Sequence, residues 1–182
     1  MTWDAVHRRG EVLRAVAEEA DRRLDGRLPT DLPGVDTAFR DETDLVLALQ
    51  LRWHTRLAGQ VDRSLLEEPA GLEVAVLSAW RRTAAAMPGV RAVLDAQRAD
   101  PVSPDVAEAL RRADRKDWTL LAAMAGRAGT GDPAAASLGR HLEERAREGH
   151  HPSAAADHPT GEGRPDPAPT TLLGRLRAHL AA

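Results

Sequence analysis

Trp3, Val6, Gly10, Leu13, Ala17, Ala20 and Leu24 follow one another at alternating steps of three and four residues. An α-helix brings such positions onto one side of the chain, whereas a strand would need a period of two. The residues available for burial make the same demand on the rest of the sequence. Leu, Val and Ala dominate, with four Trp, one Phe, no Tyr and no Ile. Leu and Ala are strong helix formers, and a chain short of β-branched and aromatic residues is a poor sheet former. With 42% hydrophobic residues in a length of 182, there is enough to build one core in a single domain.

Breakers divide the remaining sequence into further helical segments. The first stripe ends at Gly26, a C′ glycine, and its small residues would let another helix approach closely. "RLPTDLPG" is a loop. From Val35 to Pro69 runs a central helix with Asp41, Glu42 and Asp44 early, where the helix dipole favours acids. Residues Leu45 to Leu51 are apolar nearly all round. Beyond them Trp53, Leu57, Val61 and Leu65 share one arc, and Arg52, Arg56 and Arg63 lie opposite. A third helix turns Leu72, Ala75, Val76, Ala79, Trp80 and Met87 inward, until Pro88 interrupts it and a short helix carries on through Val93 and Leu94. Ser103 and Pro104 open another, with Val106, Leu110, Ala113, Leu121 and Met124 on its apolar side. Asp132 and Pro133 open the last, which closes at Gly149. The expected fold is all-α: an irregular bundle of five to six helices over residues 1–148.

The C-terminal part divides in two. Residues 149–169 hold five prolines and three glycines with almost nothing to bury, which predicts a disordered linker. Residues 170–182 predict a short amphipathic helix. Leu172, Leu173, Leu176 and Leu180 fall within an arc of about 100°, the width of a docking face, flanked by Arg175 and Arg177. Burial of these leucines gains about as much as ordering the segment costs, so the helix is expected only when docked. The linker's reach of about 25 Å lets it meet a protein partner or its own bundle.

Within that segment, Leu173-Gly174-Arg175-Leu176-Arg177 resembles the hydrophobic-Gly-x-Leu-Arg core of the C-terminal loading peptides of encapsulin cargo proteins. The resemblance covers five residues and has Arg175 where those peptides usually carry a small serine. It implies an alternative role as compartment cargo, with a metal-dependent enzyme among the possibilities.

Chemistry-bearing residues are few. There is no cysteine, hence no disulfide or thiolate site. Glycine-rich phosphate loops, nucleophile elbows and His-Glu-x-x-His are missing, so no catalytic residue, metal site or cofactor is predicted. Glu148 and His151 form the only Glu-x-x-His pair, interrupted by Gly149, where a di-metal bundle needs two. Asp4, His7 and Glu11 read as a solvated charge cluster. His54 shares the arc of Leu57 and Val61, and Asp117 falls on the apolar side of its own helix if that helix is continuous. The two predict a buried polar pair: a structural hydrogen bond foremost, with a pH-sensitive latch or a catalytic dyad as the alternatives.

The formal net charge of −3 removes the global attraction on which non-specific nucleic-acid binding depends. Arg52/Arg56/Arg63, Arg81/Arg82 and Arg111/Arg112/Arg115/Lys116 have acidic neighbours and read as mixed-charge faces, so nucleic acid is not an expected partner. Leu45 to Leu51 is far shorter than the roughly 20 residues needed to cross a bilayer, and the N-terminus carries charges where a signal peptide is apolar. A membrane is therefore not an expected partner either, and the expected location is the cytoplasm. The functional expectation is a non-enzymatic helical interaction or regulatory protein, docking through Leu172, Leu173, Leu176, Leu180, Arg175 and Arg177.

Overall fold

The computed structural model describes residues 3–129 and 131–148. Seven α-helices follow in chain order: α1 (Trp3–Arg23), α2 (Val35–Ala38), α3 (Glu42–Glu67), α4 (Leu72–Ala86), α5 (Pro88–Ala99), α6 (Pro104–Met124) and α7 (Ala135–Glu148). There is no strand among the described residues, and the protein is an all-α irregular bundle. Both the 149–169 linker and the 170–182 segment lie outside the described residues.

The added helix is the single turn α2, which the sequence reading merges with α3. Phe39 leaves α2 with an extended backbone and is 4% exposed. Asp41 is extended as well, and its carboxylate accepts a hydrogen bond of 2.8 Å from the Asp44 N–H. Seating the only Phe and capping α3 together break the run. At the next boundary Met87 separates α4 from α5, because Pro88 lacks the N–H a continuing helix would use. Ser103 caps α6 as expected, accepting from Val106 N–H at 3.2 Å.

Two helix contacts depend on glycine. A Cβ on Gly139 of α7 would lie 1.8 Å from the Trp118 carbonyl oxygen of α6. One on Gly89 of α5 would lie 1.9 Å from the Ala20 carbonyl oxygen of α1. Neither backbone could come so near with any larger residue. The α1–α5 contact is also polar: the Asp21 carboxylate accepts from the Gly89 and Val90 N–H groups at 2.7 and 3.2 Å. Asp21 thus caps the N-terminus of a helix other than its own.

The core centres on Leu45, Leu49, Trp53, Leu57, Val90, Leu94, Leu110 and Leu121, all nearly inaccessible. Trp53 and Trp80 meet edge to face with ring centroids 6.0 Å apart. Between the helices lies a buried guanidinium. Arg91 stacks on Trp53 at 4.8 Å and on Trp80 at 5.6 Å, and pairs with Asp95 at 2.6 Å and Glu143 at 3.2 Å. Arg147 covers Trp80 at 5.3 Å and pairs with the same two acids. Trp118 is less deeply placed, and its indole N–H donates to Glu143 at 2.7 Å.

The first stripe is where the expectation needs correction. Ala17 and Ala20 are buried, joined by Val16, but Val6 is 55% exposed, Leu24 is 52% exposed and nothing lies within 4 Å of a Cβ on Gly10. α1 packs chiefly on α5 and only slightly on α3. The close approach at Gly89 fixes which side of α1 is buried, and this leaves part of the stripe off the core. Leu72 likewise is 41% exposed rather than inward.

These contacts set up a paired test. Gly139→Ala is expected to destabilise the protein by about 2–4 kcal/mol or prevent folding, because backbone must move. Gly10→Ala, on an exposed helical turn, is expected to stabilise it by about 0.5–1 kcal/mol. Urea unfolding of both variants beside wild type gives the comparison.

Candidate functional site

A groove of about 1100 Å³ lies between α1 and α3, with Ala86 and Met87 also in its lining. α1 is held at both ends of this groove and stands away from α3 between them. At one end is the Asp21–Gly89 contact. At the other, Arg9 donates to both oxygens of Asp44 at 2.9 and 3.0 Å and to the Ala38 carbonyl at 2.7 Å. Its guanidinium also lies 4.3 Å from the centre of the Phe39 ring. The Arg9 hydrogen bonds hold the Asp44 carboxyl down at about 2.

The floor and walls are apolar where the helices face each other: Leu13 and Ala17 from α1, Ala48 and Leu51 from α3. Leu51 is 65% exposed, although it ends the most apolar run in the sequence. One edge belongs to Arg52, Arg56 and Arg63, spaced by four and seven residues on α3. Among the described residues no carboxylate lies within ion-pairing distance of these three. Arg52 is near enough to Asp21 to favour its charged form, against the burial that raises it.

Of the residues singled out from the sequence, His54 and Asp117 lie together on the other side of α3. His54 Nδ1 is 2.5 Å from Asp117 Oδ1, and Gln50 donates to Oδ2 at 3.1 Å. α6 runs unbroken through Asp117, whose side chain is 6% exposed against 38% for His54. The pair opens a longer polar network. Arg98 donates to Gln50 at 3.1 Å and to Asp114 at 2.6 Å, and reaches Asp95 at 3.6 Å. Asp95 passes it on to Arg91 and Arg147. The geometry of the pair, a hydrogen bond between side chains of α3 and α6, suits a strut between the two helices. The docking residues Leu172, Leu173, Leu176, Leu180, Arg175 and Arg177 lie outside the described residues.

Two aspartates in this network respond to their surroundings in opposite directions. Burial raises Asp117 above its usual 3.8, and the hydrogen bond to His54 only partly opposes this. Burial pushes Asp95 the same way, but hydrogen bonds from Arg147 and Arg91 outweigh it and hold the group at about 2.

The sequence reading missed Arg9, Leu13, Leu51 and the open face of α3 as one site. The basic stripe was visible but read as a mixed-charge face with Asp62 among its acidic neighbours; among the described residues no ion pair joins Asp62 to the stripe, and Glu67 pairs with Arg82 on α4. Among the described residues no group of three or more His, Asp or Glu is placed to hold a metal ion, and no helix is long and apolar enough to cross a membrane. No protein-family model, curated protein or solved structure matches the chain.

Arg91→Ala is expected to cost about 2–4 kcal/mol in urea unfolding, since it opens the tryptophan stack and removes a buried partner from two part-buried acids. The aspartates give a signed pH test. Asp95 contributes stability above 3.8 that is lost as pH falls toward about 2. The deficit of Asp95→Asn relative to wild type should therefore shrink on acidification. Asp117 behaves oppositely, because its raised folded value favours the native state below 3.8 and that advantage is lost as pH rises. Asp117→Asn should gain on wild type as pH rises above 3.8. Unfolding curves of the three proteins across pH provide the check, and a pH-flat difference at Asp117 would remove its role as a pH-sensitive latch.

Proposed function

We propose that this protein is a helical interaction protein whose docking surface is the α1–α3 groove. The observation that supports it most is the uncovered apolar wall. Leu13 and Ala48, partly buried against the core, and the exposed Leu51 line an open channel beside α1, which Arg9 ties to α3 at one end and Asp21 ties to α5 at the other. Side chains of this kind lower the free energy when a third apolar surface covers them, by about 25 cal/mol per Å². Exposed apolar patches rimmed by polar residues mark interaction sites in soluble proteins. The rigid clamps mean that the groove needs no rearrangement before it is filled, which reduces the ordering cost of association.

The C-terminal segment, residues 170–182, fits the same reading as a second, tethered contact through Leu172, Leu173, Leu176 and Leu180. A preformed groove and a tethered leucine face on one chain would let it join two proteins, or hold one by two contacts with increased avidity.

The chain's lack of cysteine makes site-specific attachment simple. A photo-crosslinker placed at Thr55→Cys, on the groove wall, should capture a defined partner in cells, whereas the same group at Glu144→Cys on α7 should not. Leu51→Glu should reduce the capture at least about tenfold, the effect of some 1.4 kcal/mol. Equal capture from both positions, or none from Thr55→Cys, would sink the groove as a docking surface. Truncation after Glu148 separately tests the C-terminal contact, through loss of any partner that needs it.

A further inference from the structure

We infer that the occupant of the α1–α3 groove is an amphipathic α-helix of a partner protein, seated with an acidic flank along α3. The inference rests on the docking role proposed above and specifies the chemistry of its partner.

Arg52, Arg56 and Arg63 stand within an arc of about 40° on α3, with rises of roughly 6 and 10 Å between them. A second helix lying alongside has the same rise per residue, so carboxylates spaced by four and seven residues meet all three guanidinium groups. An anion with a single head group would meet one and leave the others as they are. Arginine also pairs with carboxylates in a directed, two-pronged manner, which fixes register as well as strength.

Gly59 leaves room for a helix to approach closely. It sits on the same face between Arg56 and Arg63, is exposed, and has nothing within 4 Å of where a Cβ would be. Glycine is a costly residue in the middle of a 26-residue helix, and here the bundle's own packing does not require it. At Gly89 and Gly139 the same residue type marks the place where another helix backbone comes close. Gly59 offers such a low point to a helix from outside.

Charge selects among the possible occupants. The groove holds Arg9, Arg52, Arg56 and Arg63 against Glu18, Asp21 and Asp44. Asp44 is engaged by Arg9, and Asp21 by the N–H groups of Gly89 and Val90. Asp21 keeps its charge near Arg52 at one end, so Arg56 and Arg63 are the cations of the α3 wall with no acid beside them in the groove among the described residues, and the partner helix presents acids to one side of its apolar seam only. Residues 169–182 of this chain carry Arg175 and Arg177 and no acidic residue, so they do not complement the α3 wall. A second copy docking α3 against α3 would set arginine against arginine.

Full-length protein and three labelled peptides test this. The first is a peptide of about 18 residues with a leucine seam at i, i+3, i+4 and i+7 and glutamates along one flank. The second replaces those glutamates with lysines, and the third is residues 169–182 of this chain. Fluorescence anisotropy should show the glutamate peptide binding at least tenfold more tightly than the lysine peptide, with affinity falling as salt rises. Arg56→Glu/Arg63→Glu, checked for native helix content, should reverse the preference. If both designed peptides bind alike and the reversal changes nothing, the acidic helix is overturned, and the docking role then rests on the Thr55→Cys capture. If the tail peptide binds more tightly than the glutamate peptide, the occupant is the chain's own end and the inference is overturned. Failure of all three peptides overturns it too, and whether Thr55→Cys still captures a partner then decides the fate of the docking role.

Discussion

A buried arginine organises this bundle. Arg91 is 7% exposed, yet its guanidinium touches Trp53 of α3, Trp80 of α4, Asp95 of its own helix and Glu143 of α7. Through Glu143 it is linked to Trp118 of α6. A charge taken from water is tolerated only when its donors and its flat faces are matched, and here two carboxylates and two indoles supply both. Burial lowers the Arg91 pKa, and Arg98 adds to that, while the two acids oppose them. Because partners come from separate helices, the arginine constrains their mutual orientation in a way that interchangeable leucines would not.

The polar network and the groove lie on different sides of α3, and this division is informative about function. On one side, Gln50, Trp53 and His54 tie α3 to the rest of the bundle. On the other, Leu51, Arg52, Thr55, Arg56 and Gly59 face the channel beside α1. A continuous helix anchored along one face makes a stiff wall for whatever binds along the other. Arg9 ties α1 to α3 at one end of that channel and Asp21 ties α1 to α5 at the other, so two polar contacts hold α1 beside it together with the burial of Val16, Ala17 and Ala20.

Much of this was legible in the sequence because helices are specified locally. Caps at Ser103, breaks at Pro69 and Pro88, and the three-and-four spacing of Trp53, Leu57 and Val61 act over a few residues. The proximity of His54 and Asp117 was suggested by the apolar arcs each shares, since a polar residue among buried neighbours needs a polar partner. What misled was α1. Its stripe has the period of a buried face, but period does not tell whether the face is covered by this chain or left for another. Val6 and Gly10 remain open for that reason. Glycines pose the same problem: Gly10, Gly59, Gly89 and Gly139 all lie within helices, and only Gly89 and Gly139 lie under another backbone.

The sequence by itself determined the helical class, the main helix boundaries and most of the buried side chains, because propensity, capping and periodicity are short-range effects. The tertiary structure alone decided that Arg91 is enclosed, that Asp21 caps a helix 68 residues away, and that Arg52, Arg56 and Arg63 line a groove instead of a solvated face. Each of these depends on the distance between helices that are remote in the chain. That distance is set by a few close contacts, such as Gly89 on Ala20 and Arg9 on Asp44, whose partners cannot be paired from one-dimensional spacing.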